Sequence, residues 1–596
     1  MPCLPPPLPP PPPVQTNTVS AESTDVKSKT ESSVPPPSDD FTRVRSPTRT
    51  AKKEAREIDP SKYHTRFIAL KFAYLGQRYN GYEHANGNVT PLPTIEEELW
   101  KALRKARLIF PTTPSSSTDD FDDSEPRGNR PFTINWEGCD YSKCGRTDRG
   151  VSAFGQVIGI RVRSARPKRS PTSKNSSSKQ ERLTQQSTSD ATAVNSQQNI
   201  TVKDDSSALT SSGVEDNHDS NPEDDWDDIA DELPYVQILN NLLPEDIRVL
   251  AWCPHPPPGF DARFSCRERR YKYFFTQPAF SPTPGPLGFV KGAAKDRNFR
   301  EGWLDIEAMR EAMKHFVGVH DFRNFCKVDT SKQITNFERI IYHADIELVD
   351  PKTHPLGYVG EAGFRALENG TDSDKPAGSE GHLPSTPLVY AFDIRGSAFL
   401  WHQVRHMVSI LFLIGQGLES PSIIPELLDV SKNPRKPTYE MASDAPLVLW
   451  DCIFPDEKSG SREDALEWVY AGDLRMSKSS KSKSSSKGDG KYGLGGVVDG
   501  LWSVWRQRKM DEILAGALLD LTVSQGDRSV VTRDPPTKLP RSQKVFYGGN
   551  EAKLGGKYVP VMEKKKLDPV EVLNARYLAS KERRAEKSVD DGNEEM

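Results

Sequence analysis

One short glycine-rich turn in the sequence carries an aspartate that could act as a catalytic carboxylate. The turn Cys144-Gly-Arg-Thr-Asp-Arg-Gly150 lies between two segments with the composition of β-strands. Gly145 and Gly150 permit backbone conformations that other residues resist, so the turn can expose Asp148 at a sheet edge. Arg146 could keep Asp148 ionised or bind a phosphate. From the turn alone two interpretations stay open: a catalytic carboxylate, or an aspartate that caps its own backbone.

A second segment combines cations with the aromatic residues Phe264, Tyr271 and Tyr273. Such a mixture suits phosphate contacts and stacking on a distorted RNA stem. An ordinary charged strand face explains each of these cations equally well. The candidate RNA-binding residues are Arg263, Arg267, Arg269, Arg270 and Lys272.

The elements around these segments predict an α+β fold. Phe67 to Tyr74 form a β-type apolar run, and Thr94-Ile-Glu-Glu97 is a capping box at the start of a helix. A very apolar helix is predicted at about 402–415. The order strand, helix, strands occurs twice, which predicts two related α/β halves around a mixed, mainly antiparallel sheet with a central basic cleft.

Composition shifts divide the chain into five regions. They are a disordered Pro/Ser-rich tail at 1–60; an N-terminal half with the Asp148 loop at 61–164; a disordered acidic insertion at 165–233; a C-terminal half at 234–455, with an insertion at about 351–386; and, at 456–596, a linker, an extra helix at about 501–519 and a charged tail.

The composition of the 596-residue chain excludes several classes of protein. Hydrophobic residues make up 35%, and nine of the 49 prolines fall within the first thirteen residues, so part of the chain is not expected to fold. No apolar run approaches the ~18–20 residues of a membrane helix, and no secretory signal is visible. The sequence therefore predicts a soluble intracellular protein without a membrane partner.

The net charge of −4 hides a strong asymmetry along the chain. Residues 201–233 carry a charge of −11, and residues 119–125 carry −5. The remainder carries +12, which favours a polyanion as partner, although many basic faces are only solvated.

The seven cysteines are scattered and form no C-x-x-C pair. Reduced thiols are the expectation for a chain of this kind, and neither a zinc site nor another metal or cofactor is predicted.

The string Gly145-Arg-Thr-Asp-Arg-Gly-Val-Ser-Ala to Gln156 closely resembles the signature of the TruA family of tRNA pseudouridine synthases. Four further segments resemble family motifs in the family's order, and the resemblance covers about residues 63–455 without the insertions. These segments are Tyr74 to Tyr82, Phe260 to Tyr273, His320 to Phe325 and Ala398 to Arg405.

The resemblance implies roles that the residues alone do not decide. It makes Asp148 the catalytic nucleophile and places Tyr271 against the target base, while Tyr273 is expected in the core. It makes Arg405 an active-site arginine that pairs with Asp148 or a phosphate; the alternative is an amphipathic arginine whose head reaches water. It further implies a tRNA substrate, a homodimer and no cofactor.

Within the family, the tract His320 to Asp329 resembles the eukaryotic subfamily that modifies positions 38 and 39 of the anticodon stem-loop. The alternatives are a synthase for other positions (27/28), a non-catalytic tRNA-binding or folding factor, and an aspartate-dependent hydrolase. The expected location is nucleus and cytoplasm. Two short basic runs, Arg166–Arg169 and Lys564–Lys566, could be nuclear signals, but solvated charge explains them more simply.

Overall fold

The structure is a computed structural model. It describes residues 59–111, 133–168, 226–283, 288–291, 298–349, 387–456, 458–459, 461–476, 490–493, 495–526 and 543–594. The predicted N-terminal tail, except for residues 59–60, most of the acidic insertion and the insertion at 351–386 lie outside the described residues.

A ten-stranded sheet forms the centre of the described chain, in the order β12-β4-β1-β3-β11-β5-β10-β9-β8, with β2 paired to β3. All neighbours are antiparallel except β3 and β11, which run parallel and join the two halves. The strands are β1 Thr65–Tyr74, β2 Ser142–Lys143, β3 Ser152–Arg163, β4 Ile247–Cys253, β5 Glu268–Gln277, β8 Gly318–Asp321, β9 Glu338–Val349, β10 Leu388–Gly396, β11 Leu447–Ile453 and β12 Val469–Tyr470. Two separate hairpins pair β6 Phe289–Lys291 with β7 Asn298–Arg300, and β13 Gln543–Val545 with β14 Lys553–Gly555.

Seven α-helices occur among the described residues; six of them contribute to two hydrophobic cores, and α6 is largely exposed. The first core packs α1 and α2 with β1, β3 and β4, and the second packs α3, α4 and α5 with β5, β9 and β10. In the part of the chain that the structure describes, no helix has both the length and the apolar content that a membrane crossing needs. The helices are α1 Ile95–Lys105, α2 Tyr235–Asn240, α3 Ile306–Met313, α4 Gln403–Gly415, α5 Ile423–Leu428, α6 Val497–Ser524 and α7 Val570–Glu594.

The local predictions in the two halves are confirmed. The Thr94 side chain accepts a hydrogen bond from the backbone N–H of Glu97, which caps α1. The α1 stripe is fully buried, because Ile95, Leu99 and Leu103 have no exposed surface. The mixed, mainly antiparallel sheet and the α+β class are also confirmed.

Two regions differ from the expectations. Residues 226–233, assigned to the insertion, pack against the body: buried Glu232 accepts a hydrogen bond from Arg66 at 3.1 Å. Beyond residue 456 the sequence shows few apolar runs, yet Phe546 and Val561 are buried in the second core. Isolated apolar residues of this kind form no periodic pattern, so their packing could not be predicted.

Candidate active site

The Asp148 turn is held at its start and in its middle by hydrogen bonds to side chains of the sheet. The Gln156 side chain on β3 accepts from the Gly145 N–H and donates to the Gly145 carbonyl, each at 3.0 Å. Inside the turn, the Thr147 hydroxyl lies 2.7 Å from the Tyr74 hydroxyl on β1. These polar groups are buried and paired, so the turn has one arrangement.

Glycines let neighbouring segments approach the turn more closely than other residues would. Gly81 has φ +85°, and a Cβ there would lie 2.9 Å from the Thr147 carbonyl oxygen. Gly150 has φ +80°, and its Cβ would lie 2.1 Å from Oδ2 of Asp444. Both positions therefore need glycine for conformation and for space.

The Asp148 carboxylate contacts side chains at the start of α4. The Trp401 indole donates from Nε1 to Oδ1 at 3.2 Å, and His402 Nε2 lies 3.4 Å from Oδ2. The carboxylate keeps 24% of its surface exposed. Its partners among the described residues are thus side chains from a distant element, not the turn's own backbone as in an Asx turn.

The electrostatic surroundings of Asp148 combine opposing effects. Burial raises the pKa of Asp148 above its usual value, while the Arg405 charge and the Trp401 hydrogen bond oppose that rise. The Asp444 charge adds to the rise, and Lys327 opposes it.

Arg405 lies in α4 with only 9% of its surface exposed. Its Nε donates to the Ala442 carbonyl at 2.8 Å, and its Nη2 lies 4.0 Å from Oδ1 of Asp444. The carboxylate it contacts is therefore that of Asp444, while its charge still acts on Asp148. The alternative of an arginine that reaches into water does not fit this burial.

Tyr271 and Tyr273 project from one face of β5 with different burial. Tyr273 is 1% exposed and belongs to the second core, as expected. Tyr271 is half-buried and packs edge-on against Phe399 with ring centres 4.9 Å apart. Burial raises the pKa of the Tyr271 hydroxyl, and the nearby Asp148 charge also raises it. The charge of Asp148 therefore acts on the Tyr271 hydroxyl.

Arg146 does not contact Asp148. Its Nε lies 3.1 Å from Oε1 of Glu83, and 45% of its side chain is exposed. From the sequence, Arg146 is expected to pair with Asp148 or a phosphate. It forms instead an ion pair with Glu83, which lies in the segment after β1.

Four of the five candidate RNA-binding cations fall into two groups. Arg263 and Arg267 are exposed, and the Arg263 guanidinium lies 5.2 Å from the centre of the Phe264 ring, which is 69% exposed. Arg270 and Lys272 form ion pairs with carboxylates on the same sheet, Glu268 at 2.8 Å and Glu347 at 2.9 Å.

Arg269 has an internal position of its own. Its guanidinium donates to the carbonyls of Ser397 at 2.9 Å, Cys144 at 3.2 Å and Arg263 at 2.9 Å. It therefore joins three segments that border the candidate site, including the residue that precedes the Asp148 turn.

The sequence did not single out Trp401 or Lys327, and it favoured a structural or RNA-facing role for His402. Trp401 and His402 contact the carboxylate directly, and Lys327 Nζ lies 4.4 Å from the centre of the Trp401 ring. Trp401 and His402 belong to the same string as Arg405, so the signal was present, but the sequence could not show that this string meets the Asp148 turn.

Three buried thiols form the strongest candidate for a metal site among the described residues. The sulfur atoms of Cys144, Cys266 and Cys452 lie within 4.8 Å of one another. Hydrogen bonds from the other two thiols lower the pKa of Cys266. Structural zinc takes four protein ligands, and this cluster supplies three. The expectation that the protein needs no metal stays a prediction.

A family model described as tRNA pseudouridine synthase matches residues 312–455. The chain is 37% identical over 406 residues to a tRNA pseudouridine(38/39) synthase of Saccharomyces cerevisiae, a match that covers 68% of this chain and 61% of the relative. Proteins of the same name from Mus musculus and Homo sapiens are 35% and 34% identical over 418 and 430 residues; these matches cover 70% and 72% of this chain and 60% and 62% of the relatives.

The chain thus spans about three fifths of the length of these relatives. The residues matched by the family model include β10 of the large sheet and α4, which carries Arg405. The chain carries a pseudouridine synthase domain of the TruA family.

Proposed function

We propose that this protein is a tRNA pseudouridine synthase that isomerises uridine to pseudouridine at positions 38 and 39 of the anticodon stem-loop, with Asp148 as nucleophile. The observation that carries the proposal is the partly exposed Asp148 carboxylate, which Trp401 and His402 contact from the start of α4. The relatives named for positions 38 and 39 support the choice of substrate.

The reaction breaks the N1–C1′ bond of uridine, turns the base and joins C5 to C1′. N1 gains a proton and C5 loses one, so no redox cofactor is required. A carboxylate can attack C1′ or C6, and either route needs Asp148 to be ionised and exposed on one side. The Trp401 hydrogen bond on Oδ1 is compatible with both routes because the carboxylate stays partly open.

Tyr271 and Arg405 complete the proposed site in different ways. Tyr271 lies half-buried near Asp148, where its ring can stack on a base that has left the helix. Burial keeps its hydroxyl protonated at neutral pH, so the hydroxyl can donate a hydrogen bond. Arg405 supplies a fixed positive charge that favours the ionised form of Asp148.

The proposed partner is tRNA, bound in a basic cleft mainly through its phosphates. Outside the two acidic stretches the chain carries +12. Exposed Arg263 and Arg267, together with the exposed ring of Phe264, offer cations and a stacking surface beside the site. Arg146 is half exposed and can exchange Glu83 for a phosphate.

A homodimer is part of the same proposal, and α6 supports it. Its residues Leu514, Leu518 and Leu521 follow one helix face and are 69%, 65% and 53% exposed. An exposed apolar stripe of this kind suits a second copy of the helix. Light scattering on a Leu514→Glu/Leu518→Glu variant should show a monomer where the unmodified protein is a dimer.

Location in both nucleus and cytoplasm also remains a proposal. Of the two basic runs, Lys564–Lys566 packs on the body: the Lys565 carbonyl accepts from the Thr438 N–H at 2.8 Å. Its role as a nuclear signal is therefore not favoured.

The proposal is tested with purified protein and unmodified tRNA transcripts. Transcripts that carry uridine only at position 38, 39, 27 or 28 are incubated with the protein, and pseudouridine is mapped at single-nucleotide resolution. Product at 38 and 39 alone supports the proposal. Product at 27 or 28 identifies the other specificity, and tight binding without product identifies a non-catalytic tRNA-binding factor.

A further inference from the structure

We propose that His402 is a positioning residue for the nucleophile: a neutral imidazole whose Nε2–H donates to the Asp148 carboxylate opposite the Trp401 indole. This inference rests on the proposed function and deepens it, because it names how the carboxylate is aimed. Its evidence is the contact geometry, the backbone of His402 and the groups that surround the imidazole.

The two nitrogen atoms approach different oxygens of the same carboxylate. Trp401 Nε1 lies 3.2 Å from Oδ1, and His402 Nε2 lies 3.4 Å from Oδ2. The turn and these two residues are more than 250 positions apart in the sequence, so the contact is a product of the fold. The Trp401 indole donates a hydrogen bond to Oδ1, and an Nε2–H of His402 beside Oδ2 would add a second donor. Together they would fix the plane of the carboxylate and leave its remaining lone pairs for the substrate.

The backbone of His402 is held in an uncommon conformation that directs this contact. Its φ is +61°, in the left-handed region that residues other than glycine rarely adopt, and it caps α4. The turn before it is closed by Gln403, whose buried side chain accepts from the Leu400 N–H at 2.8 Å. A conformation of this kind persists where the surrounding structure determines it, and here it brings the imidazole to Asp148.

The surroundings of the imidazole favour the neutral form. The His402 side chain is 9% exposed. Burial lowers the pKa of His402 to about 4, and three nearby positive charges add to the effect. These charges belong to Arg405 on α4, Lys327 after β8 and Lys436 after α5. Two further titratable groups face it, Asp148 from the turn and His406 from α4.

A neutral imidazole has one N–H, and the contacts indicate which nitrogen carries it. Nδ1 of His402 is buried without a partner among the described residues. A proton on Nδ1 would leave a buried donor unpaired and turn the Nε2 lone pair toward the Asp148 carboxylate, which is unfavourable on both counts. The tautomer with the proton on Nε2 avoids both costs. A neutral donor also orients Asp148 without neutralising its charge.

The test compares two amide substitutions that differ in reach. His402→Gln places an amide N–H near the position of Nε2, and His402→Asn offers the same amide too far from Asp148. Asparagine also tolerates the left-handed backbone, so His402→Asn controls for conformation. Single-turnover pseudouridine formation is timed against pH, and tRNA affinity and thermal melting are measured in parallel.

We expect His402→Asn to slow single turnover about tenfold or more, as for a lost hydrogen bond to a charged group, with the acid limb of its pH profile moved upward. His402→Gln should recover most of the rate, and tRNA affinity should change little in either variant. Equal rates for the two variants, with an unchanged pH profile, would overturn the inference. So would a defect in affinity alone.

A second measurement keeps the inference separate from the proposed function. Nitrogen-15 NMR of histidine-labelled protein, with His402 assigned by its loss in His402→Gln, should show a neutral imidazole protonated on Nε2 at neutral pH. A charged imidazole, or the Nδ1–H tautomer, would overturn the inference. If the unmodified protein makes no pseudouridine in tRNA, the proposed function fails, while this NMR result still decides the contact.

Discussion

The Asp148 turn and the basic segment from Arg263 to Lys272 both contain many charged and polar side chains, but these side chains have different partners. In the turn, backbone and side-chain polar atoms are paired within the protein, and one carboxylate stays partly open. In the segment, Arg269, Arg270 and Lys272 are paired with carbonyls or carboxylates of the protein.

The comparison shows that residue type alone does not separate a ligand contact from a structural one. Arg263 and Arg269 are both arginines of one basic segment, yet Arg263 lies on the surface and Arg269 joins three backbone segments. Substitutions should therefore affect different properties: catalysis at Asp148, RNA binding at Arg263 and folding stability at Arg269.

The largest effect is expected for Asp148→Asn. The amide keeps the shape of the carboxylate but cannot act as nucleophile, so single turnover should fall by at least about a thousandfold. Because burial disfavours the Asp148 charge, the variant should melt at or above the temperature of the unmodified protein. Asp444→Asn, a neighbouring carboxylate 36% exposed, is the matched control and should retain most of the turnover.

Much of the fold was predictable from the sequence because its signals are local. The Thr94 cap and the stripe of Ile95, Leu99 and Leu103 depend on neighbours within one helix. The resemblance singled out Asp148, Tyr271 and Arg405. The contacts of Trp401 and Asp148 were not predictable, because they join segments 253 positions apart.

The next largest effect is a loss of stability that distinguishes Arg269 from Arg263. Arg269→Ala removes a guanidinium that donates to four carbonyls, and leaving such groups unpaired should reduce the free energy of unfolding by about 2–4 kcal/mol. Chemical denaturation measures this change.

Arg263→Ala should leave the free energy of unfolding within about 0.5 kcal/mol of the unmodified protein, since the side chain is exposed. It should weaken tRNA binding and lower the slope of log affinity against log salt by about one. An Arg269→Ala variant of full stability, or an Arg263→Ala variant with unchanged salt dependence, would remove the distinction between the two residues.

A smaller effect is expected in the pH dependence. Only ionised Asp148 can act as nucleophile, and burial raises its pKa. The single-turnover rate should therefore rise with pH through a midpoint above the ordinary aspartate value of about 3.9, and then stay level through neutral pH. A midpoint at or below that value, measured with protein whose fold is verified at each pH, would contradict the electrostatic description of the site.

The smallest effect is expected for replacement of residues 170–225 by a short Gly/Ser linker. Because residues 201–225 are net acidic, their removal should leave single turnover unchanged and strengthen tRNA binding at low salt only. The design keeps Glu232, which pairs with Arg66. Loss of turnover in a folded variant would assign this segment a role in catalysis.

Site-resolved pseudouridine mapping in cells is the decisive test of the proposal that Asp148 serves the modification of positions 38 and 39 of tRNA. Total RNA is compared from cells that lack this protein and from the same cells supplied with the unmodified chain or with Asp148→Asn. We expect pseudouridine at positions 38 and 39 to disappear without the protein and to return with the unmodified chain alone. Pseudouridine that persists without the protein, or that returns with Asp148→Asn, would contradict it.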